Sequence, residues 1–214
     1  TGTILAQGVM ALSLPILTRL YSPADFNLLA VYTSLLGLIT VVSCLRFNIA
    51  IPLPGDDRVA MNLLPLAILS AGVFALATAL PTFLAPAAAA SLIGQPSIRP
   101  YLWMVPVGVF LASTYDAMQY WASRKRRFGM ISRTRMTRAL GGAGTQIGLG
   151  SISATPFGLI LGQVVYSSFG VLGLVRSLVQ NDSGATRGLS RATLVGAARE
   201  YRKFPIYSVP EALF

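Results

Sequence analysis

Charged residues divide this chain into long apolar stretches. No Asp, Glu, Lys or Arg occurs in residues 26–45, 59–98 or 139–175, and these intervals hold 20, 40 and 37 residues. A bilayer core is about 30 Å thick, and about 20 apolar helical residues cross it. The first interval has the length of one crossing, and each of the others has room for one or two. Helices of water-soluble domains rarely lack a charged face over such lengths, so the pattern predicts a polytopic membrane protein.

The apolar stretches predict an all-α, polytopic transmembrane helical bundle with six spans. The 37-residue interval is too long for one helix across one bilayer. The stretch Gly150–Pro156 supplies a turn there. Aromatic residues bracket the fourth span at both ends, as is typical of the water–lipid boundaries. The predicted spans are residues 1–18, 27–45, 59–84, 101–121, 138–153 and 156–176.

A further apolar segment begins near Phe204. We therefore divide the chain into an amino-terminal transmembrane lobe, residues 1–203, and the start of a seventh span, residues 204–214. The lobe ends in a linker over residues 177–203. The first residue is Thr1 rather than Met, and the first apolar run has neither a basic start nor a small-residue cleavage site. It is therefore interpreted as a crossing helix and not as a signal peptide.

The composition agrees with a membrane protein. The chain is 54% hydrophobic and 11% charged, with a mean hydropathy of +0.64, whereas soluble domains are about 25% charged. A net charge of +10 would suggest a nucleic-acid partner in a soluble chain. Here the basic residues lie in short segments between apolar spans, so we expect a bilayer as partner and no nucleic acid. One cysteine and no histidine leave no internal disulfide and no metal-ligand cluster, and no cofactor is expected.

The basic residues predict the orientation. If the connecting segments alternate between two sides, fifteen Lys and Arg residues fall on one side and only Arg19 and Arg99 on the other. Short connecting segments rich in Lys and Arg stay cytoplasmic. The sequence thus predicts a cytoplasmic amino terminus and an outward loop that contains Arg19. The basic run Arg124–Arg127 is interpreted as an anchor of this topology.

Small residues and prolines predict how the helices pack and bend. Gly144 and Gly148 are four residues apart in the fifth span, and Gly158 and Gly162 are four apart in the sixth. This spacing lets helix backbones approach closely in lipid. Prolines inside the first, third and fourth spans each remove a backbone donor and favour a bend; they are Pro15, Pro65 and Pro106.

Asp116 is the one acid deep inside a predicted span. Helical spacing places it on a polar face shared with Ala112, Ser113, Gln119 and Tyr120. An ionisable group at this depth usually faces a bundle interior or a water-filled space. Two interpretations stay open: a cavity site for a cation or polar substrate, or an interfacial acid that balances nearby arginines.

Other polar residues in the spans have two interpretations as well. Gln7, Gln146 and Gln163 are amides that can hydrogen-bond to a neighbouring helix. Arg19 and Arg46 lie at opposite ends of the first two spans, where long side chains reach the membrane boundary. Turned inward, the same guanidinium groups would bind an anionic headgroup, because their geometry matches phosphate.

No enzyme signature is present. The chain has no histidine for base catalysis, no glycine-rich phosphate loop of Walker type and no paired carboxylates placed on one substrate. Asp56 and Asp57 are adjacent in a Pro-Gly-Asp-Asp sequence that favours a turn. The sequence is interpreted as that of a non-enzyme.

Five segments, taken in order, resemble one family. Leu14–Phe26 is similar to the first outward loop of bacterial O-antigen and exopolysaccharide flippases, which belong to the multidrug/oligosaccharidyl-lipid exporter superfamily. Leu45–Pro54 resembles that family's loop after the second span, and Tyr120–Phe128 its basic loop after the fourth. Gly158–Gln163 and Tyr201–Pro205 are also similar. The resemblance covers nearly the whole chain.

The resemblance implies a carrier of twelve to fourteen helices in two similar lobes, of which this chain would be the six-helix amino-terminal lobe. Its substrate would be an undecaprenyl-diphosphate-linked oligosaccharide. The carrier would move it to the outer leaflet of the bacterial cytoplasmic membrane by alternating access, for O-antigen, capsule or exopolysaccharide synthesis. A missing carboxy-terminal lobe would complete the cavity, and polysaccharide polymerase machinery is a further expected partner.

The chain departs from the family pattern at two positions. The family usually has glycine where this chain has Asn27, and often an acid where it has Asn48. If that acid takes part in ion coupling or pairs with the residue at Arg46, this protein must do so differently.

These observations together predict a lipid-linked oligosaccharide flippase. Two rival classes stay open: a cation-coupled multidrug exporter of the same superfamily, which would have acids in its cavity, and an integral-membrane glycan polymerase, which would have a long outward loop. The candidate substrate-binding residues are the anion contacts Arg19, Arg46 and Arg99 and the cavity groups Asp116 and Gln119.

Overall fold

The computed structural model describes residues 2–182, 190–202, 204–208 and 211, without the side chains of Arg191 and Tyr207. The described residues form helices and short connections and contain no strand, which confirms the all-α prediction. The helices are α1 (Gly2–Leu20), α2 (Pro23–Ser43), α3 (Phe47–Ala50), α4 (Asp57–Leu84), α5 (Pro86–Ile93), α6 (Met104–Arg124), α7 (Phe128–Ile152), α8 (Pro156–Asn181) and α9 (Arg191–Glu200). A 3₁₀ turn covers Pro96–Tyr101 and a π-helical turn Phe204–Ser208.

Each of the six predicted spans overlaps one long helix. Four of them, α1, α2, α4 and α8, are long and apolar enough to cross a bilayer. The other two, α6 and α7, have 21 and 25 residues but a more polar composition. Helix α7 begins at Phe128, ten residues before its predicted span, and thus includes a basic segment without proline. The predicted linker and seventh span lie partly outside the described residues.

Helix α6 lies at the centre of the bundle. It packs against α2, α4 and α8, and more lightly against α7. Twelve of its 21 residues are buried. A helix surrounded by protein needs no apolar face toward lipid, and this explains why α6 is less apolar than α4 or α8. Two buried tyrosine hydroxyls connect neighbouring elements: Tyr32 donates to the carbonyl of Met104 at 3.1 Å, and Tyr21 to that of Gln146 at 2.7 Å.

The helix boundaries follow from local sequence. Ser22 caps α2, whose first residue is Pro23, and the Ser22 and Asp25 side chains satisfy each other's backbone N–H groups. The predicted turn before Pro156 is confirmed, since α7 ends at Ile152 and α8 begins at that proline. Pro106 is predicted to favour a bend in the fourth span, but it is the third residue of α6. No N–H in a first turn has an intrahelical partner, so no hydrogen bond is lost.

Close packing of α7 on α8 uses glycines, but only half of the predicted set. A Cβ at Gly162 would collide with Gln146 and lie 3.0 Å from the carbonyl of Gly142, so α8 approaches α7 as predicted. Gly144 and Gly148 have open space instead, because no described heavy atom outside the local backbone of α7 lies within 4 Å of an added Cβ. The stripe of α7 that faces α8 contains Gly142 and Gln146. Gln146 also donates to the carbonyl of Leu159 at 3.2 Å, as predicted for an interhelical amide.

This packing makes a testable difference between two glycines. We expect Gly162→Ala to lower the free energy of unfolding by about 1–3 kcal/mol, because the new methyl group overpacks a backbone contact. Gly144→Ala should change it by less than about 0.5 kcal/mol. Denaturation of both variants in mixed detergent micelles measures the difference, and an equal loss in the two would contradict the observed helix register.

One end of the bundle carries most of the basic side chains and is called the basic end; it includes Arg46, Arg58, the loop 124–127 and Arg176. Asp57 pairs there with Arg124 at 2.9 Å and with Lys125. Arg124 also donates to the carbonyl oxygens of Ile51, Pro52, Pro54 and Gly55. The sequence predicts a topology anchor for this loop, and in the structure the loop also holds the α3–α4 connection in place.

The other half of this loop holds the end of α8. Arg127 donates both terminal nitrogens to the Asp182 carboxylate, at 2.8 and 2.9 Å. The indole Nε1 of Trp121 donates to the same carboxylate at 2.9 Å. The Asp182 side chain is only 4% exposed, so its charge is satisfied inside the protein.

Candidate functional site

A polar groove with a volume of about 370 Å³ opens between α2, α6 and α8 toward the basic end. We call it the Asp116 groove. Its polar lining comes from six elements or turns: α2, the turn after it, α3, α6, α7 and α8. The polar residues used below are Thr40, Arg46, Asn48, Asp116, Arg138 and Gln163.

Asp116 is held on one side of this groove by a neighbouring amide. Asn48, which is 7% exposed, donates from Nδ2 to Asp116 Oδ2 at 2.5 Å. The carboxylate is also attracted by Arg138 and Arg46. No Lys or Arg nitrogen in the described part of the chain lies within 4.0 Å of it. The two arginines therefore surround the acid at longer range instead of being neutralised by a direct ion pair.

Arg46 reaches the groove through an unusual turn. Leu45 and Arg46 have φ angles of 48° and 60°, in the left-handed region that costs a non-glycine residue about 1 kcal/mol or more. Such conformations occur mainly where a site constrains the backbone. The turn follows α2 and leads directly into α3. It therefore brings Arg46, the residue before α3, and Asn48, the second residue of α3, to the same groove.

Several buried polar atoms around the groove have no hydrogen-bond partner within the described residues. They are Arg46 Nε, Asn48 Oδ1 and Thr40 Oγ1. Buried polar groups are nearly always hydrogen-bonded in proteins, to protein or to ordered water. A cluster of three such atoms from two helices and a turn is therefore suited to a polar ligand or to bound water.

Arg138 is the most firmly positioned cation of the groove. Its guanidinium lies between two tyrosine rings, 3.7 Å from the centroid of Tyr115 and 4.3 Å from that of Tyr166. Nε donates to the carbonyl of Tyr166 at 2.7 Å. Contacts of this kind orient a guanidinium and weaken its need for water. No hydrogen bond from the two terminal nitrogens to any described residue occurs, so they remain able to bind an anion.

A glycine makes room for this arrangement. A Cβ at Gly170 would collide with the ring of Tyr115 and lie 3.1 Å from Cδ of Arg138. The Tyr115 hydroxyl in turn lies 3.2 Å from Oγ1 of Thr134. Residues of α6, α7 and α8 thus act together to fix one side chain.

Arg138 also lines a second groove of about 370 Å³, between α1 and α7, which we call the Gln119 groove. Gln7, Gln119 and Arg135 lie there, and Arg135 donates to Oγ1 of Thr3 at 2.7 Å. Arg138 therefore lines both grooves. Gln7, one of the three amides expected to hydrogen-bond to a neighbouring helix, is exposed.

The structure brings together only part of the predicted site. Arg46 and Asp116 line the same groove, while Gln119 lies in the adjoining one. Arg19 is exposed in the last turn of α1 and Arg99 in the 3₁₀ turn before α6, both at the opposite end of the bundle. None of the grooves described here contains these two arginines, and their role as anion contacts stays a prediction.

Helical geometry explains the separation along α6. Ala112, Asp116 and Tyr120 are four residues apart and share the groove. Ser113 and Gln119 lie about 60° to either side of Asp116 around the helix axis. Ser113 is turned into the core, where its hydroxyl lies 2.5 Å from that of Ser43.

Sequence reasoning missed Arg138 and noted Asn48 only as a departure from a family pattern. Arg138 is the basic residue next to a 37-residue charge-free interval. That position was a usable signal, because the last charge before a span is the one nearest to membrane depth. The tyrosines that hold it lie 23 and 28 positions away in sequence.

The helices and grooves together identify the class of this protein. It is a multi-pass membrane protein with a polar, predominantly cationic groove among its helices. The chain belongs to a family of polysaccharide biosynthesis proteins, whose family model matches residues 16–187. No curated protein and no solved structure matches the chain.

Proposed function

We propose that this chain is the amino-terminal lobe of a transporter that flips an undecaprenyl-diphosphate-linked oligosaccharide across the bacterial cytoplasmic membrane. The observation that carries the proposal is the pair of arginines, Arg46 and Arg138, in the Asp116 groove. Arg46 Nε and the terminal nitrogens of Arg138 have no partner among the described residues. Guanidinium groups suit phosphate oxygens because their planar donors match phosphate geometry.

The surroundings of the two arginines fit the rest of such a substrate. Gln163 lies in the same groove and Gln119 in the adjoining one. Amide groups donate and accept hydrogen bonds, as recognition of sugar hydroxyls requires. With one carboxylate against two guanidinium groups, the Asp116 groove keeps a net positive charge, which favours a diphosphate over a neutral lipid.

The membrane arrangement is part of the proposal. The basic end would face the cytoplasm, in accordance with the distribution of Lys and Arg. A second lobe would cover the grooves and alternate their access between the two sides of the membrane. Polysaccharide polymerase machinery would receive the flipped product, and the protein itself would catalyse no covalent reaction.

The proposal is tested in a strain that lacks the gene. We expect loss of surface polysaccharide and accumulation of its lipid-linked precursor on the cytoplasmic face. Wild-type protein should restore both measurements, whereas Arg46→Ala should restore surface polysaccharide at least about tenfold less well, since a charge-assisted hydrogen bond contributes roughly 1.5–3 kcal/mol. Arg58→Ala, which removes an exposed charge at the same end of the bundle, is the matched control.

Two results would overturn parts of this proposal. Normal surface polysaccharide in the deletion strain would exclude the function. Full restoration by Arg46→Ala at equal protein level would remove Arg46 from the site.

The deletion strain also tests the alternative of a cation-coupled multidrug exporter, which the Asp116 carboxylate favours because exporters of cations use intramembrane acids. That alternative predicts loss of cationic-dye efflux without any change in polysaccharide.

A further inference from the structure

A larger groove lies between α7 and α8 at the basic end and is separate from the site described above. Its volume is about 790 Å³, and none of its lining residues lines the Asp116 or Gln119 groove. We call it the α7–α8 groove. The lining residues used below are Arg133, Phe169, Gly173, Arg176, Ser177 and Gln180.

The polar end of this groove carries uncompensated positive charge. Arg133 and Arg176 are both exposed, and neither has an ion pair or a side-chain hydrogen bond with any described residue. None of the described residues that line the groove is Asp or Glu. The nearby carboxylate of Asp182, the residue after α8, accepts hydrogen bonds from Arg127 and Trp121 instead. Ser177 and Gln180 add neutral polar groups beside the two arginines.

The groove becomes apolar along α8. Gly173 and Phe169 lie three and seven residues before Arg176, which corresponds to about 4.5 and 10 Å along the helix axis. Phe169 is 55% exposed. Gly173 has no side chain to fill the floor, and a Cβ there would be in ordinary contact with Thr134 at 3.6 Å. A positive rim above an open apolar floor thus runs from the end of a candidate membrane-spanning helix toward its middle.

We propose that the α7–α8 groove binds an anionic phospholipid. The headgroup phosphate lies between Arg133 and Arg176, and an acyl chain lies over Gly173 and Phe169. Basic pockets between helices near a membrane surface bind anionic headgroups. A second copy of this chain fits the groove poorly, because a symmetric contact would place the same two arginines opposite each other.

The test uses the full chain purified in a neutral detergent. Native mass spectrometry compares binding of phosphatidylglycerol and phosphatidylcholine, which differ in net charge. We expect the first phosphatidylglycerol to bind roughly 30-fold more tightly than phosphatidylcholine. This factor corresponds to about 2 kcal/mol, because each of the two arginines near a membrane surface contributes about 1 kcal/mol of attraction to an anionic headgroup. Arg133→Gln with Arg176→Gln should abolish this preference. Arg58→Gln with Arg126→Gln, two exposed charges of the same end outside the groove, should retain it.

A steric variant distinguishes lipid from free phosphate. Gly173→Leu fills the groove floor from a position where a Cβ fits, so phosphatidylglycerol binding should fall at least about fivefold. Binding of inorganic phosphate, added as a competitor, should not depend on this residue. The proposal is overturned if the double arginine variant keeps the preference, if the control pair loses it equally, or if inorganic phosphate displaces phosphatidylglycerol at similar concentrations.

Discussion

Replacing Arg138 with glutamine should reduce restoration of surface polysaccharide in the deletion strain by roughly 30-fold or more. The reason is that Arg138 lines both grooves and has two terminal nitrogens without a partner among the described residues. Loss of a charge-assisted hydrogen bond to phosphate costs about 1.5–3 kcal/mol, which corresponds to a factor of about 10–150. Arg138→Lys should recover only part, because an ammonium group neither stacks between two rings nor binds two oxygens in one plane.

A second variant separates the position of this side chain from its charge. Gly170→Ala keeps every charge but forces the new methyl group against Tyr115 and Cδ of Arg138. It should therefore lower restoration as well, while Gly144→Ala, whose methyl group meets no described heavy atom outside the local backbone within 4 Å, should not. Equal protein levels in the membrane must accompany the comparison, because overpacking at Gly170 also lowers the free energy of unfolding, as at Gly162. Full restoration by Arg138→Gln would exclude this residue from substrate binding.

Asp182→Ala should give the largest loss of stability among the variants considered, about 3 kcal/mol or more in the free energy of unfolding. The substitution leaves Arg127 and the indole N–H of Trp121 without the carboxylate that both contact. Removing one partner of a fully buried ion pair typically costs about 3–5 kcal/mol, and the 24% exposure of the Arg127 side chain places the expected loss at the lower end of that range. Asp182→Asn should cost less, since it keeps one hydrogen-bond acceptor. Denaturation in mixed micelles, followed by tryptophan fluorescence, measures both.

Asp56→Asn is the matched control for this prediction. Asp56 is exposed and accepts a hydrogen bond from the backbone N–H of Arg58 at the start of α4. Asparagine caps a helix about as well as aspartate, so the expected change is below about 0.5 kcal/mol. A loss in Asp182→Ala no larger than in this control would show that the Arg127 contact contributes nothing to stability.

The long helices were predictable from sequence because charge is expensive inside a bilayer. Charge-free intervals therefore place α1, α2, α4 and α8 well, and a turn sequence before Pro156 separates α7 from α8. The start of α7 was not predictable in the same way. Helical structure continues beyond the apolar interval to Phe128, and nothing in hydropathy marks where a helix ends outside the membrane.

The sequence did not predict which face of α7 packs against α8. Gly142, Gly144 and Gly148 all fit a pattern of small residues on α7, yet only the stripe with Gly142 meets α8. The two stripes lie on nearly opposite sides of the helix, because a shift of two residues corresponds to about 200°. The choice between them depends on side chains of α8 and of Tyr21, which are distant in sequence.

The candidate site, too, was predictable from the sequence only in part. Asp116 stood out because an acid inside an apolar span is costly and usually serves a purpose. Arg138 did not stand out, because it is one of several arginines near the start of α7 and its special environment comes from Tyr115 and Tyr166. The contact between Asn48 and Asp116 joins residues 68 positions apart. Only the folded backbone reveals pairs of this kind.

The loop 124–127 has a mechanical consequence. This loop joins α6 to α7. Arg124 and Lys125 form ion pairs with Asp57 at the start of α4, and Arg127 forms one with Asp182 at the end of α8. Four helices are therefore fastened to one another at a single corner. We expect α4 and α8 to move together at that corner, because a displacement of one relative to the other would break these ion pairs.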